Sequence, residues 1–99
     1  MPITESQRRH LKGLSHHLKP VVIIGQAGVS PSVLEEIGTS LDSHELIKVK
    51  VNAADRESRE RMIQQITKHT QAQLIHTIGH VVVLFRANPK KKQPLTLPV

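Results

Sequence analysis

Apolar positions change period along this chain, and the changes mark its elements. Leu11, Leu14 and Leu18 recur at helical spacing. Thr4 followed three residues later by Gln7 has the form of a capping box. The pattern predicts a helix over residues 5–18, ended ahead of Pro20. Val21 to Ile24 is an unbroken β-branched run and reads as a short buried strand. Val33, Leu34, Ile37 and Leu41 return to helical spacing and predict a second helix over 31–42, broken by Asp42-Ser43-His44-Glu45. Residues 46–51 alternate as a strand does, with Ile47, Val49 and Val51 on one face and Lys48 and Lys50 on the other. Asn52 to Asp55 is a loop and cap, and Met62, Ile63 and Ile66 mark a third helix over 55–69. Residues 74–78 and 81–85 read as strands joined by Gly79-His80, a pair suited to a type II′ hairpin. The second of them is wholly apolar, so it should be central or covered on both faces.

The order is therefore α-β-α-β-α-β-β. Strand–helix–strand crossovers are expected to be parallel and right-handed, and the closing hairpin antiparallel. This predicts an α/β chain of the two-layer α+β kind with a four-stranded mixed sheet. Ninety-nine residues suffice for one domain with a modest core. We expect that domain to span residues 1–87. Residues 88–99 hold Pro89, Pro94, Pro98 and three consecutive lysines, and are expected to form an unstructured basic tail.

The first strand leads at once into Gly25-Gln26-Ala27-Gly28, after which Ser30 can cap a helix that starts at Pro31. A strand, a glycine turn and a helix N-terminus in succession present backbone N–H groups at the positive end of a helix dipole. Such a turn can cradle an anion. It lacks the Gly-Lys-Ser/Thr of a P-loop and the glycine triple of a dinucleotide fingerprint.

Charge suggests which anion. The chain carries a net charge of +6, concentrated at its ends. Arg8, Arg9, Lys12 and Lys19 oppose Glu5 alone in the first twenty residues, and Arg86, Lys90, Lys91 and Lys92 stand unopposed in the last fourteen. A polyanion is the natural partner for such a chain. Arg9, Lys12 and His16 lie opposite the leucine stripe of the first helix and give it a basic outer face. The mixed charges of the third helix, with Glu57–Arg61 in the favourable i,i+4 order, read instead as a solvated face. Phe85 is the only aromatic ring besides the histidines and lies in an apolar run. Reading of bases by stacking on sheet aromatics is thereby excluded, so a nucleic acid would be gripped by backbone and shape.

Other chemistry is sparse. Cysteine is absent, which removes disulfides and thiolate ligands. The seven histidines include no H-E-x-x-H motif and no i,i+4 ligand pair among His10, His16 and His17, so neither a metal nor a cofactor is expected. Asp42-Ser43-His44 has the residue types of a hydrolytic triad, but adjacent residues cannot converge as a triad must. No apolar run of about 18 residues is present. Neither a membrane nor a small-molecule substrate is expected, and the cytoplasm is the expected location.

Several separated motifs resemble one family. They are Gly13-Leu14-Ser15-His16-His17-Leu18-Lys19-Pro20, the Ile24-Gly25-Gln26-Ala27-Gly28 turn, His44-Glu45-Leu46-Ile47-Lys48-Val49-Lys50, and Ile78-Gly79-His80-Val81 before an apolar strand and Arg86. In this order, over about residues 3–87, they resemble the CRM domain, named for chloroplast RNA splicing and ribosome maturation. A chain with this domain alone looks like the bacterial stand-alone members. The resemblance implies a fold similar to the C-terminal domain of translation initiation factor three, binding to RNA, and association with precursors of the large ribosomal subunit. It also implies that the Gly-x-x-Gly turn touches RNA. The expected RNA-binding residues are Gly25, Gln26, Ala27 and Gly28 with His16, His17 and Lys19 beside them. Arg9 and Lys12 would lend electrostatic support, and Lys48, Lys50 and Arg86 are further contacts if no helix covers them. The expected protein is a monomer without catalytic residues. Its rivals are a small hydrolase using the histidines and the anion cradle, or an adaptor whose basic tail docks an acidic protein.

Overall fold

Each helix starts on a side-chain cap. In the computed structural model, which describes residues 3–25, 27–91, Leu95 and Leu97, α1 (Glu5–Ser15) begins with the full capping box. Thr4 Oγ1 accepts the Gln7 N–H and Gln7 Oε1 accepts the Thr4 N–H. Ser30 caps α2 (Pro31–His44) and Asp55 caps α3 (Arg56–Thr70). Asp55 accepts the Ser58 N–H at 2.7 Å. Bonds from the Ser58 backbone and hydroxyl, with Arg61 nearby, hold its carboxyl below the usual carboxylate range.

Two helix ends differ from the sequence expectation. Helix α1 stops at Ser15, not residue 18. The Ser15 hydroxyl donates back to the Lys12 carbonyl, and the His16 and Leu18 N–H groups bond to the carbonyls of Gly13 and Ser15. These i→i−3 bonds tighten and end the helix. Helix α2 runs two residues beyond Asp42 and stops at Glu45, whose φ is 62°. A non-glycine residue at positive φ costs on the order of 1 kcal/mol or more and needs surrounding support. Glu45 has it: its carbonyl accepts the Arg86 N–H, and its carboxylate accepts the N–H groups of Asn88 and Leu95.

The strands are β1 (Pro20–Ile24), β2 (Leu46–Val51), β3 (Gln73–Ile78) and β4 (Val81–Phe85), arranged β1-β2-β4-β3. β1 and β2 are parallel, and β4 pairs antiparallel with both β2 and β3. The all-apolar β4 is thus central, and the mixed α+β sheet is the one expected. Gly79 takes a φ of 56° at the first position of the hairpin turn, which the type II′ form requires. In β3 the register shifts between Leu74 and His76. This bulge turns both Ile75 and His76 to one face, and Arg8 of α1 donates to the carbonyls of Leu74 and Ile75 at 2.6 and 3.0 Å.

Helices divide between the two faces. Ile37 and Leu41 of α2 and Ile63 and Ile66 of α3 pack on Val22, Ile24, Val49, Val51, Val82 and Leu84. Leu11 of α1 packs on Leu46, Ile75, Val83 and Phe85 of the opposite face, joined by Leu18, Leu95 and Leu97. Two layers therefore describe the sheet with α2 and α3, while α1 covers part of the other side. The residues described beyond 87 are docked: Asn88 and Leu95 bond to Glu45, and Lys91 Nζ lies 3.7 Å from it. These residues form no helix or strand, and their contacts gather on a buried carboxylate that the sequence gives no reason to place there. Lys92 falls outside the described residues.

Candidate nucleic-acid interface

Strand alternation decides which basic residues meet. Lys48 stands opposite Val83, which stands opposite His76; Lys50 pairs with Ile23 on one side and Val81 on the other. All lie on the face that α1 partly covers. Lys12 of α1 and His16 just after it are exposed and close enough to His76 to disfavour its protonation. Partial burial is the larger cause, and together they hold His76 below the ordinary histidine value of 6.5. Lys50 is exposed, Lys48 half-buried, and Arg9 exposed on the outer side of α1. Beyond the helix the face carries Ile23, 65% exposed, and Ile78, 52% exposed. A basic and partly apolar surface therefore runs from α1 across β2 towards the glycine end of β1.

The glycine turn closes by a bond from the Gly28 N–H to the Gly25 carbonyl at 3.1 Å, with Gly28 at a φ of 96°. Val33 N–H is bound to Ser30 Oγ. Two amides that the sequence offers to an anion are thus already used. Gly25 and Ala27 are exposed, and Gln26 lies outside the described residues. The turn borders a cleft of about 580 Å³ whose other wall is α3, with Arg61, Gln64, Gln65 and Lys68. These were not among the expected site residues, because α3 reads as a solvated face. The signal was present in the polar stripe at i, i+3, i+4 and i+7.

His16, His17 and Lys19 are not beside the turn, as the sequence reading has them. They precede β1 and the turn follows it, so the strand separates them by about 17 Å at roughly 3.3 Å per residue. Arg86 is committed to the fold. Its guanidinium donates to the carbonyls of Thr70 and Gly38 and to Asp42 Oδ1 at 2.8, 2.9 and 2.6 Å, tying α2, α3 and β4 together. Among the described residues no group of three His, Cys, Asp or Glu side chains is placed to hold a metal ion, and no helix is long and apolar enough to cross a membrane.

A small α+β module with one basic sheet face and a glycine turn at its rim is the class that these features define. The chain belongs to the CRS1 / YhbY (CRM) domain family, whose pattern it matches over residues 3–86. It is 46% identical over 96 residues to a Haemophilus influenzae protein named an RNA-binding protein, covering 97% of this chain and 95% of that one. It is 35% identical over 96 residues to a Pseudomonas aeruginosa protein named a probable RNA-binding protein, covering 97% and 92%. Its fold is similar to the solution structure of a Staphylococcus aureus protein put forward as RNA binding. There the TM-score is 0.82 at 28% identity, with 98% of this chain and all of the other covered.

Proposed function

We propose that this chain is a non-catalytic RNA-binding module that grips the RNA backbone across the α1–sheet face and the glycine turn. The observation that carries this is the gathering of Lys12, His16, His76, Lys48 and Lys50 on one side of the sheet, in a family with relatives named for RNA binding. Arg61 and Lys68 add positive charge across from Gly28. Such contacts position an RNA without reading its bases. Ribosomal precursor RNA of the large subunit is the partner that the family resemblance supports, and the protein acts on it as a monomer in the cytoplasm. Arg86 is left out of the RNA contacts because the fold uses its donors.

Gly25→Asp is the direct test. An added Cβ there meets nothing within 4 Å and Gly25 has no positive φ, whereas any side chain at Gly28 is strained by its φ of 96°. A carboxylate at residue 25 repels an approaching phosphate. Filter binding to large-subunit precursor RNA should weaken at least about tenfold, or about 1.4 kcal/mol. A folded variant with unchanged affinity removes the turn from the interface. Equal, weak binding of the parent protein to precursor RNA and to an unrelated polyanion removes the defined RNA role.

A further inference from the structure

At the end of β1 away from the glycine turn lies a second groove, of about 480 Å³, within the usual range of ligand sites. Leu14 and Val21 form part of its surface and remain 39% and 44% exposed, apolar side chains that neither core takes up. His17, from just after α1, and His44, from the last turn of α2, also line it, and both are exposed. Lys19 and Lys91 add two ammonium groups, the second close to Glu45. No Asp or Glu is among the described lining residues.

Apolar surface, two imidazoles and two ammonium groups suit one kind of ligand: a flat ring carrying a phosphate. Imidazoles stack on bases as other aromatic side chains do, and bases are open to stacking where RNA is single-stranded. Positive charge without a lining carboxylate favours a nucleotide over an acidic peptide only in company with the RNA reading above, on which this inference rests. We propose that the groove takes one unstacked base of single-stranded RNA, the base lying against Leu14, Val21, His17 and His44 and its phosphate on Lys19, Lys91 being held by Glu45. It gives a base contact to a protein whose other basic surfaces reach only backbone. It also gives His17 and Lys19 a role separate from the glycine turn.

The test is NMR on the full chain with three probes: a short single-stranded RNA, the same sequence in a duplex, and an acidic leucine-containing peptide. The single strand should shift the methyl signals of Leu14 and Val21 and the ring signals of His17 and His44. The duplex should shift only the Lys48–Lys50 face and the glycine turn. Val21→Asp should weaken single-strand binding about tenfold and leave duplex binding unchanged. Thr39→Asp, the same added charge on the exposed side of α2, should change neither. If Val21→Asp proves unfolded by circular dichroism, the double variant His17→Ala/His44→Ala, at two exposed positions, carries the same expectation. Single-strand binding that leaves the groove signals unmoved overturns this inference and keeps the RNA reading. Absence of binding to either RNA overturns both. Groove shifts with the peptide and not with the single strand assign the site to a protein partner and overturn the nucleotide.

Discussion

His76 links the chemistry of single residues to the function. The fold keeps it neutral more readily than an open chain does, through partial burial and the nearby Lys12 and His16. Its folded pKa is lowered, so the unfolded chain takes up a proton first as pH falls through 6.5. The stability it contributes is complete above that pH and declines between 6.5 and the lowered folded value. An RNA phosphate on this face would favour the protonated ring. Following the His76 ring signals by NMR should give a midpoint below 6.5 in the free protein, and a higher midpoint with RNA bound. An unmoved midpoint in the complex places the phosphates elsewhere. Asp55 behaves in the same sense at lower pH: its cap on α3 is fully formed above the ordinary aspartate value of 3.8 and is lost as pH falls through its lowered pKa.

Among elements, arginine side chains lock helices to strands. Arg86 bridges the end of α3, the middle of α2 and the exit of β4 through three short hydrogen bonds. Removing it leaves two carbonyls and a carboxylate without their charged donor. Arg86→Ala should cost about 2–3 kcal/mol in urea unfolding. RNA affinity of the folded fraction should not change; a loss of affinity at full folding would return Arg86 to the interface. The sequence places an arginine after the last strand, but nothing in its spacing shows that carbonyls from α2 and α3 converge there. Arg8 is similar, since its partners are created by a bulge in β3 that alternation does not reveal.

Across the whole molecule, charge at the two chain ends should have unequal roles in the proposed RNA binding. Asn88 and Leu95 donate to the buried Glu45, so these two described residues are tied to the fold. Deleting residues 88–99 should cost about 2 kcal/mol in stability by taking donors from a buried carboxylate. It should also lower affinity about equally for precursor and unrelated single-stranded RNA, and reduce the salt slope by up to about 0.7 per lost phosphate contact on single strands. Changing Arg9, Lys12 and His16 together should instead reduce the preference for precursor RNA over an unrelated RNA. Both variants measured on both RNAs across a salt series decide between these roles. Preference lost with the tail and kept in the α1 variant would reverse the assignment.

By itself the sequence determined the elements, their order, and that β4 is either central or covered on both faces. Those follow from local periodicity, caps and glycine turns, which act over a few residues. It determined too that Lys48 and Lys50 share a face, because strand alternation has no freedom there. Tertiary structure alone decided which charges became neighbours. It brought Arg61 and Lys68 to the glycine turn from α3. It brought His17 to the same groove as His44. It also withdrew Arg86 and the Gly28 amide from any ligand, by supplying acceptors within the chain. The reason is the same in each case. A side chain's partners across the fold depend on which strand lies beside which and where each helix ends, and these are set by packing between distant segments rather than by the residues next in line.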